Sequence, residues 1–403
     1  MYSCTLNKAM TSNDLSLPIA GYTISIYTTV KEITLEWNTL AGSNLFMRSA
    51  FLTALEETPP SGTSYRYVLV KKEEKLVGIV YFQLKRINLY KSLRLDVAQP
   101  KGFWNKFSHF IKSLLARPLK SNLLVLGNMT LTGSNGFQFI DSIDREEAFR
   151  LAKYATEEVL CKLRKEKKRV PAVLIKDYYQ NQKFVNTDLG YTEFKVQPNM
   201  ILNLDSNWTS FEDYLSSMKS KYRVRVRRAR KKAQSLEKRV LSLEEIHAYS
   251  NEISELYKNV ANQAGFNLFI LPPTYFYSLQ KHLKDSMELI GYFKDEKLVG
   301  YYTNIRNHGD LDAHFLGYDP ECNRSNQLYL NMLYDLVEDA IRLKCKRLIM
   351  SRTALEIKSS VGATAHPMVL YIKSTYSILN LGVARAMNYF TPKEEWVPRT
   401  PFK

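Results

Sequence analysis

The segment Leu311-Asp312-Ala313-His314-Phe315 carries two proton-handling groups two residues apart. Side chains at i and i+2 of a strand share a face, so an extended backbone here sets Asp312 and His314 side by side. Histidine titrates near neutral pH, which suits it to take a proton from a nucleophile. A single histidine in a strand is also commonly a satisfied structural group, and the sequence leaves both readings open. His308 and Asp312 spell a His-x-x-x-Asp pattern as well, but Arg306-Asn307-His308-Gly309-Asp310 reads as a turn and that match is set aside. Further on, Ser351-Arg352-Thr353-Ala354-Leu355-Glu356-Ile357-Lys358 follows the apolar run KRLIMS at 346–351. Open α/β sheets collect ligand-binding groups beyond the ends of their strands. Arg352 would then bind a carboxylate, Glu356 a substrate amine and Lys358 a phosphate; an exposed, salt-bridged helix start is the competing account. Cys4, Cys161, Cys322 and Cys345 are scattered, with no Cys-x-x-Cys pair or histidine cluster. That argues against a disulfide framework and against a metal site.

The elements that must position these groups are partly repeated. KEEKLVG at 72–78 returns as KDEKLVG at 294–300, each copy between β-branched and aromatic runs. Run, charged turn and second run make a hairpin, so one plan is expected twice in 403 residues. The first half further predicts strands near 22–27, 122–132 and 171–178 and a helix over 143–168, with LGYTEF and NMILNL as closing strands. The second half predicts helices around 210–236, 243–263 and 273–284, a strand at 311–318, a turn at 319–327, a helix at 328–343 and a short helix near 354–360. An amphipathic or strand-like element is expected around 368–390. Ser210 with Asp213 resembles a capping box, which sets the boundary near Asp205: domains 1–205 and 206–403.

The net charge of +17 (57 basic minus 40 acidic) is localised. From Gln83 to Ile140 nine basic residues face one acid, Asp96, for +8; from Lys219 to Lys232 nine basic residues face none, for +9. These sum to +17, so the rest is neutral and an anionic partner is expected. Over 219–232 an apolar stripe (Tyr222, Val226, Ala229) predicts a docked helix with Lys221, Arg225, Arg228 and Lys232 on another face. A merely solvated face competes with a phosphate-binding one. KGFWNKFSHFIKSLLARPLK, at 101–120, sets Phe103, Trp104, Phe107, Phe110, Ile111, Leu114 and Leu115 on one helical side and Lys106, His109 and Lys112 away from it. Such a helix either lies in an anionic membrane surface or packs on its own domain. The N-terminus lacks a signal-peptide pattern and no stretch nears the roughly 20 apolar residues of a membrane span. The expected location is cytoplasmic, peripheral at the inner face of the membrane if 101–120 binds lipid.

Hairpin, strand, turn, long helix, strand, short helix and closing strands resemble the GNAT-type N-acyltransferase plan. Two such units resemble the tandem arrangement of the Fem-like family, most sharply at LSSMKSKYRVRVRRARKKA, LYLNMLYDLVEDAI and RTALEIKSSVGA. The resemblance implies an α/β (α+β) fold of two tandem GNAT-like domains, each a mixed, mostly antiparallel sheet flanked by helices. It implies transfer of an acyl or aminoacyl group from a thioester or ester to an amine, in lipid or cell-envelope metabolism. His314 and Asp312 would then be catalytic, Tyr318 at the end of the strand would join Arg352, Glu356 and Lys358 in binding substrate, and Asn323, Arg324, Ser325 and Asn326 would form the turn that holds the donor's phosphates. That turn lacks the glycines usual in the family, which shifts the donor from acyl-CoA toward acyl-carrier protein or aminoacyl-tRNA, the latter bound by 219–232. A non-catalytic protein binding RNA or an anionic membrane is the alternative.

Overall fold

The computed structural model describes residues 19, 21–88, 120–182, 190–263, 268–376 and 396–403. The aromatic basic stretch at 101–119 and the segment 377–390 lie outside the described residues. One mixed sheet runs through the molecule. Its strands are β1 (Tyr22–Tyr27), β2 (Thr63–Lys72), β3 (Lys75–Asn88), β4 (Lys120–Leu126), β5 (Phe137–Phe139), β6 (Ala172–Tyr179), β7 (Thr192–Asn203), β8 (Glu237–Val240), β9 (Met287–Lys294), β10 (Lys297–Asn307), β11 (Asp310–Tyr318), β12 (Arg347–Ile349) and β13 (Thr364–Ser374). The order is β1-β2-β3-β4-β6-β13-β7-β12-β11-β10-β9-β8, with β5 added on β3.

That order is its own mirror in sequence terms. β1, β2, β3, β4 and β6 of the first half correspond to β8, β9, β10, β11 and β12 of the second, and the parallel pairs β4–β6 and β11–β12 match. The sixth position is exchanged: β13 lies on β6, and β7 lies on β12. The two exchanged strands pair antiparallel at the centre, from Thr364 opposite Ile201 to Ile372 opposite Thr192. The repeated heptapeptides are the β2–β3 and β9–β10 turns. Glu73 and Glu74 (φ 47° and 65°) match Asp295 and Glu296 (φ 49° and 62°). Two successive left-handed residues in a two-residue loop give the backbone twist that suits a hairpin.

The helices are α1 (Thr34–Ala41), α2 (Ser49–Glu57), α3 (Arg145–Lys165), α4 (Phe211–Ser217), α5 (Ser220–Lys232), α6 (Leu243–Ala248), α7 (Ser250–Ala261), α8 (Tyr275–Leu283), α9 (Pro320–Asn326), α10 (Leu328–Arg342) and α11 (Leu355–Ser360). Asp144 caps α3 by accepting from the Glu147 N–H, and Ser210 with Asp213 forms a complete capping box on α4. Two of the predicted long helices are broken. The backbone turns extended at Met218, between α4 and α5, and Tyr249 separates α6 from α7. The predicted turn at 319–327 is largely helix α9, capped by Asp319 with Pro320 in its first turn.

α3 covers one face of the first-half sheet and α10 one face of the second. A third core joins the halves: Trp37, Phe51 and Tyr67 pack with Tyr275, Phe276 and Tyr301, all essentially inaccessible. No described helix is long and apolar enough to cross a membrane. Each half therefore lacks both a central strand and one wall of a core when alone. Residues 206–403 expressed by themselves are expected to show no cooperative thermal transition by circular dichroism. A sharp transition near that of the whole chain would contradict this.

Candidate functional site

β11 and β12 pair over only three residues, Asp310–Asp312 against Arg347–Ile349. Beyond Asp312 the two strands part, and residues 312–316 of β11 keep partial exposure although the strand lies inside the sheet. A bulge sits in this stretch, where Thr303 of β10 opposes both His314 and Phe315. The Thr303 hydroxyl fixes it, accepting from the Phe315 N–H at 3.0 Å and bonding the Phe315 carbonyl at 2.9 Å. As a result His314 and Phe315 both meet the ring of Tyr275. Bulges commonly re-aim side chains beside functional sites.

The His314 imidazole stacks on Tyr275 with 19° between the planes, and its Nε2 lies 2.9 Å from the Tyr275 Oη. Phe51, from the first half, meets its edge. Burial in this aromatic setting lowers its pKa to about 3, so the imidazole is uncharged at neutral pH. Asp312 moves the other way. Burial first, and the Asp310 carboxylate second, raise it to about 8 against the opposing pull of Arg347. Arg347 is engaged elsewhere, gripping Asp310 through two bonds of 2.8 and 2.5 Å. Asp312 forms no ion pair among the described residues. Both groups stay reachable on the cleft floor yet are ringed by protein, so charge on either is poorly solvated.

Beside them on β6, β7 and β13 sits a polar group that sequence reasoning missed. Asn199 donates to the Tyr179 hydroxyl at 2.8 Å while its own carbonyl oxygen is buried without a partner. The Tyr179 ring meets His366 edge-on, and His366 lies 3.2 Å from the Thr364 hydroxyl. The Asp312 and Asp310 charges raise Tyr179's pKa, after burial. The available sequence signal was weak: Asn199 at the head of the largely apolar run NMILNL.

The other expected residues diverge. Arg352 bonds the fully buried Asp177 at 3.0 Å, which also holds Lys176 at 2.5 Å. Glu356 pairs with Arg399 of the C-terminal segment. Lys358 is corrected from a phosphate ligand to a structural brace. It is buried, and its ammonium donates to the carbonyls of Met350 at 2.5 Å and Arg352 at 3.0 Å. Burial brings its pKa down to about 7. The brace closes a loop in which Ser351, Thr353 and Ala354 all have positive φ (58°, 74° and 49°), a conformation costly for such residues and kept only under outside constraint. Tyr318 packs on the Tyr329 ring at 5.9 Å.

In the turn expected to hold the donor's phosphates, the side chains of Asn323, Ser325 and Asn326 serve the helix junction. Asn323 accepts from the Tyr329 N–H at 2.8 Å, on the first turn of α10. Ser325 bonds the Glu321 carbonyl, and Asn326 is buried and donates to the Lys232 carbonyl at 2.7 Å. Arg324 alone of the four is exposed without a described partner. On α5, Lys221, Arg225, Arg228 and Lys232 are exposed as the apolar stripe requires. Arg230, by contrast, turns inward to Asp335 at 2.7 Å. Among the described residues no group of three or more His, Cys, Asp or Glu is placed to hold a metal.

The FemAB_like family model, described as peptidoglycan biosynthesis/recognition, matches residues 173–354, just under half the chain. That span begins on β6 and includes the cleft, Asp312, His314 and Arg352. The FemX crystal structure shares the fold at a TM-score of 0.51, with 12% identity over 91% of this chain and 99% of that one. The chain thus shares the fold of FemX, and its residues 173–354 match the FemAB_like model. A tandem GNAT protein from the clavulanic acid biosynthesis pathway gives a TM-score of 0.49 at 10% identity, covering 88% of this chain and 98% of that one. L-PGS from Bacillus licheniformis gives 0.44 at 11% identity, covering 83% and 94%. No curated protein matches the sequence.

The raised Asp312 makes the chain's stability pH-sensitive. Between about pH 4 and 8 the unfolded chain has lost a proton that the folded chain keeps, so the folded state loses up to about 1.4 kcal/mol per pH unit. Asp312→Asn is expected to gain stability relative to wild type as pH rises from 4 to 8 in urea denaturation. A constant difference across that range would contradict the shift.

Proposed function

We propose that the chain is an N-acyltransferase that moves an acyl or aminoacyl group from a thioester or ester to an amine in cell-envelope metabolism. The observation that carries this is Asp312, an unpaired carboxyl on the floor of the opening between β11 and β12, with its pKa near 8. An amine nucleophile must lose a proton as it attacks, and a base works best with a pKa near the operating pH. Asp312 meets that condition, whereas His314, held near 3, does not. The Asp312 carboxylate takes the amine's proton as the new C–N bond forms. The carbonyl oxygen gains negative charge, and its collapse expels the donor's thiolate or alkoxide, which takes up the proton from Asp312 and restores the carboxylate. His314 stays neutral, positioned by Tyr275, as a polar group beside the reacting carbonyl. N–H groups on the edge of β11 that faces the opening are suited to the developing oxyanion.

The donor is acyl-CoA, acyl-carrier protein or aminoacyl-tRNA, each bearing phosphate. The exposed cations of α5 and Arg324 supply complementary charge, and α5 is where a tRNA would lie. Arg352, beyond its bond to Asp177, and the Tyr179–Asn199 pair near Asp312 would contact the acceptor. The site of action is the cytoplasm, at the inner membrane face if 101–120 holds lipid. A second reading, binding of RNA or anionic membrane without chemistry, is favoured only by the exposed cationic face of α5. It requires salt-sensitive binding with no acylated product.

Asp312→Asn is expected to lower acyl transfer to a peptide amine by about 10²–10⁴-fold, read by intact mass, with an unchanged circular dichroism spectrum. The wild-type rate is expected to climb with pH through about 8. Wild-type activity in Asp312→Asn would exclude the assignment.

A further inference from the structure

On the face of the sheet opposite the Asp312 cleft, a cavity of about 600 Å³ opens between α4, α5, α10 and β8–β9. Its apolar wall comes from Phe211, Leu215, Val226 and Leu236. At its floor the Asp335 carboxylate, 1% exposed, takes Arg230 at 2.7 Å, Lys238 at 2.8 Å and the Tyr292 hydroxyl. The Arg230 guanidinium also lies over the rings of Phe211 at 5.1 Å and Tyr334 at 5.9 Å. It is held on three sides before any ligand arrives, so little side-chain freedom remains to be lost on binding.

Asp335 and Glu338 balance Arg230 and Lys238. Arg227 and Lys231, one helical turn apart on α5, also line the cavity, and neither pairs with an acid among the described residues. Exposed Glu212 is the one further acid in the lining, so the wall keeps a net positive charge. Asn331 lines the inner part. Its Nδ2 donates to the carbonyls of Ala229, Asn326 and Gln327, which fixes the amide and leaves its buried Oδ1 unpaired.

We propose that this cavity is a second, non-catalytic binding site for a small phosphomonoester carried on an apolar or aromatic body. The phosphate lies toward Arg227, Lys231 and the fixed Arg230, and the body lies against Phe211, Leu215 and Leu236. This goes beyond the acyl-transfer reading and does not depend on it, because binding is measured without turnover.

Isothermal titration of the full chain with inorganic phosphate, AMP and octyl phosphate tests the site and separates a nucleotide-like ligand from a lipid-like one. The expected result is saturable 1:1 binding of AMP or octyl phosphate, at least tenfold tighter than inorganic phosphate. The double variant Arg227→Glu, Lys231→Glu is expected to weaken it at least tenfold. Arg225→Glu, Arg228→Glu makes the same charge change on α5 away from the cavity and is expected to leave it within twofold. Three results would overturn the proposal: no saturable binding, inorganic phosphate binding as tightly, or equal weakening by both double variants. Each variant alters exposed side chains only, and an unchanged melting temperature verifies that the fold is intact.

Discussion

The antiparallel pairing of β7 with β13 is the constraint on which the rest of the molecule depends. Each half carries its last strand across to the other, so the two six-stranded units close only together. Backbone hydrogen bonds in the middle of a sheet are obligatory where water cannot replace them. The exchange therefore fixes the two halves relative to one another more firmly than a surface contact would. The shared core of Trp37, Phe51, Tyr275 and Tyr301 then buries large aromatic area across the same junction.

The cleft follows from this arrangement. β7 occupies the far side of β12, whose three residues are paired on both edges; beyond Ile349 the backbone stays bonded to β7 through Met200 while its pairing with β11 ends. The sheet opens there, and the bulge at Thr303 turns His314 toward Tyr275. First-half residues reach the same place: Phe51 meets His314, and the Thr130 hydroxyl acts on Tyr275, partly offsetting the rise that burial gives its pKa. Buried bonds from Gln83 to Asn128 and from Thr130 to Asn128 extend that polar chain into the first-half sheet. A group on the second-half strand is thus positioned by both halves.

Much of the architecture was legible in the sequence because its signals are local. The two KxEKLVG turns between β-branched runs gave both hairpins, and Ser210 marked a helix start through its own side chain. The strand exchange was not legible, because strand order in space leaves no trace in periodicity. The break at Met218 was hidden by an apolar stripe that continues from α4 into α5. In sequence α9 resembles a turn because its residues are nearly all polar, although Asp319-Pro320 is a helix-start signal. At the site, Asp312 and His314 were found by spacing on a strand, but their roles depend on surroundings. Aromatic burial silences His314, and the pairing of Arg347 with Asp310 leaves Asp312 without a cation. Lys358 illustrates the opposite case, a charged residue whose sequence context suggested a ligand and whose position makes it a brace.

The proposed chemistry rests on an Asp312 carboxyl that keeps its proton close to neutral pH. Infrared titration of the full chain labelled with ¹³C-aspartate, as the difference between wild type and Asp312→Asn, observes that carboxyl directly. A single carboxyl-to-carboxylate transition with a midpoint near 8 is expected. A midpoint near 4, the ordinary aspartate value, would contradict it.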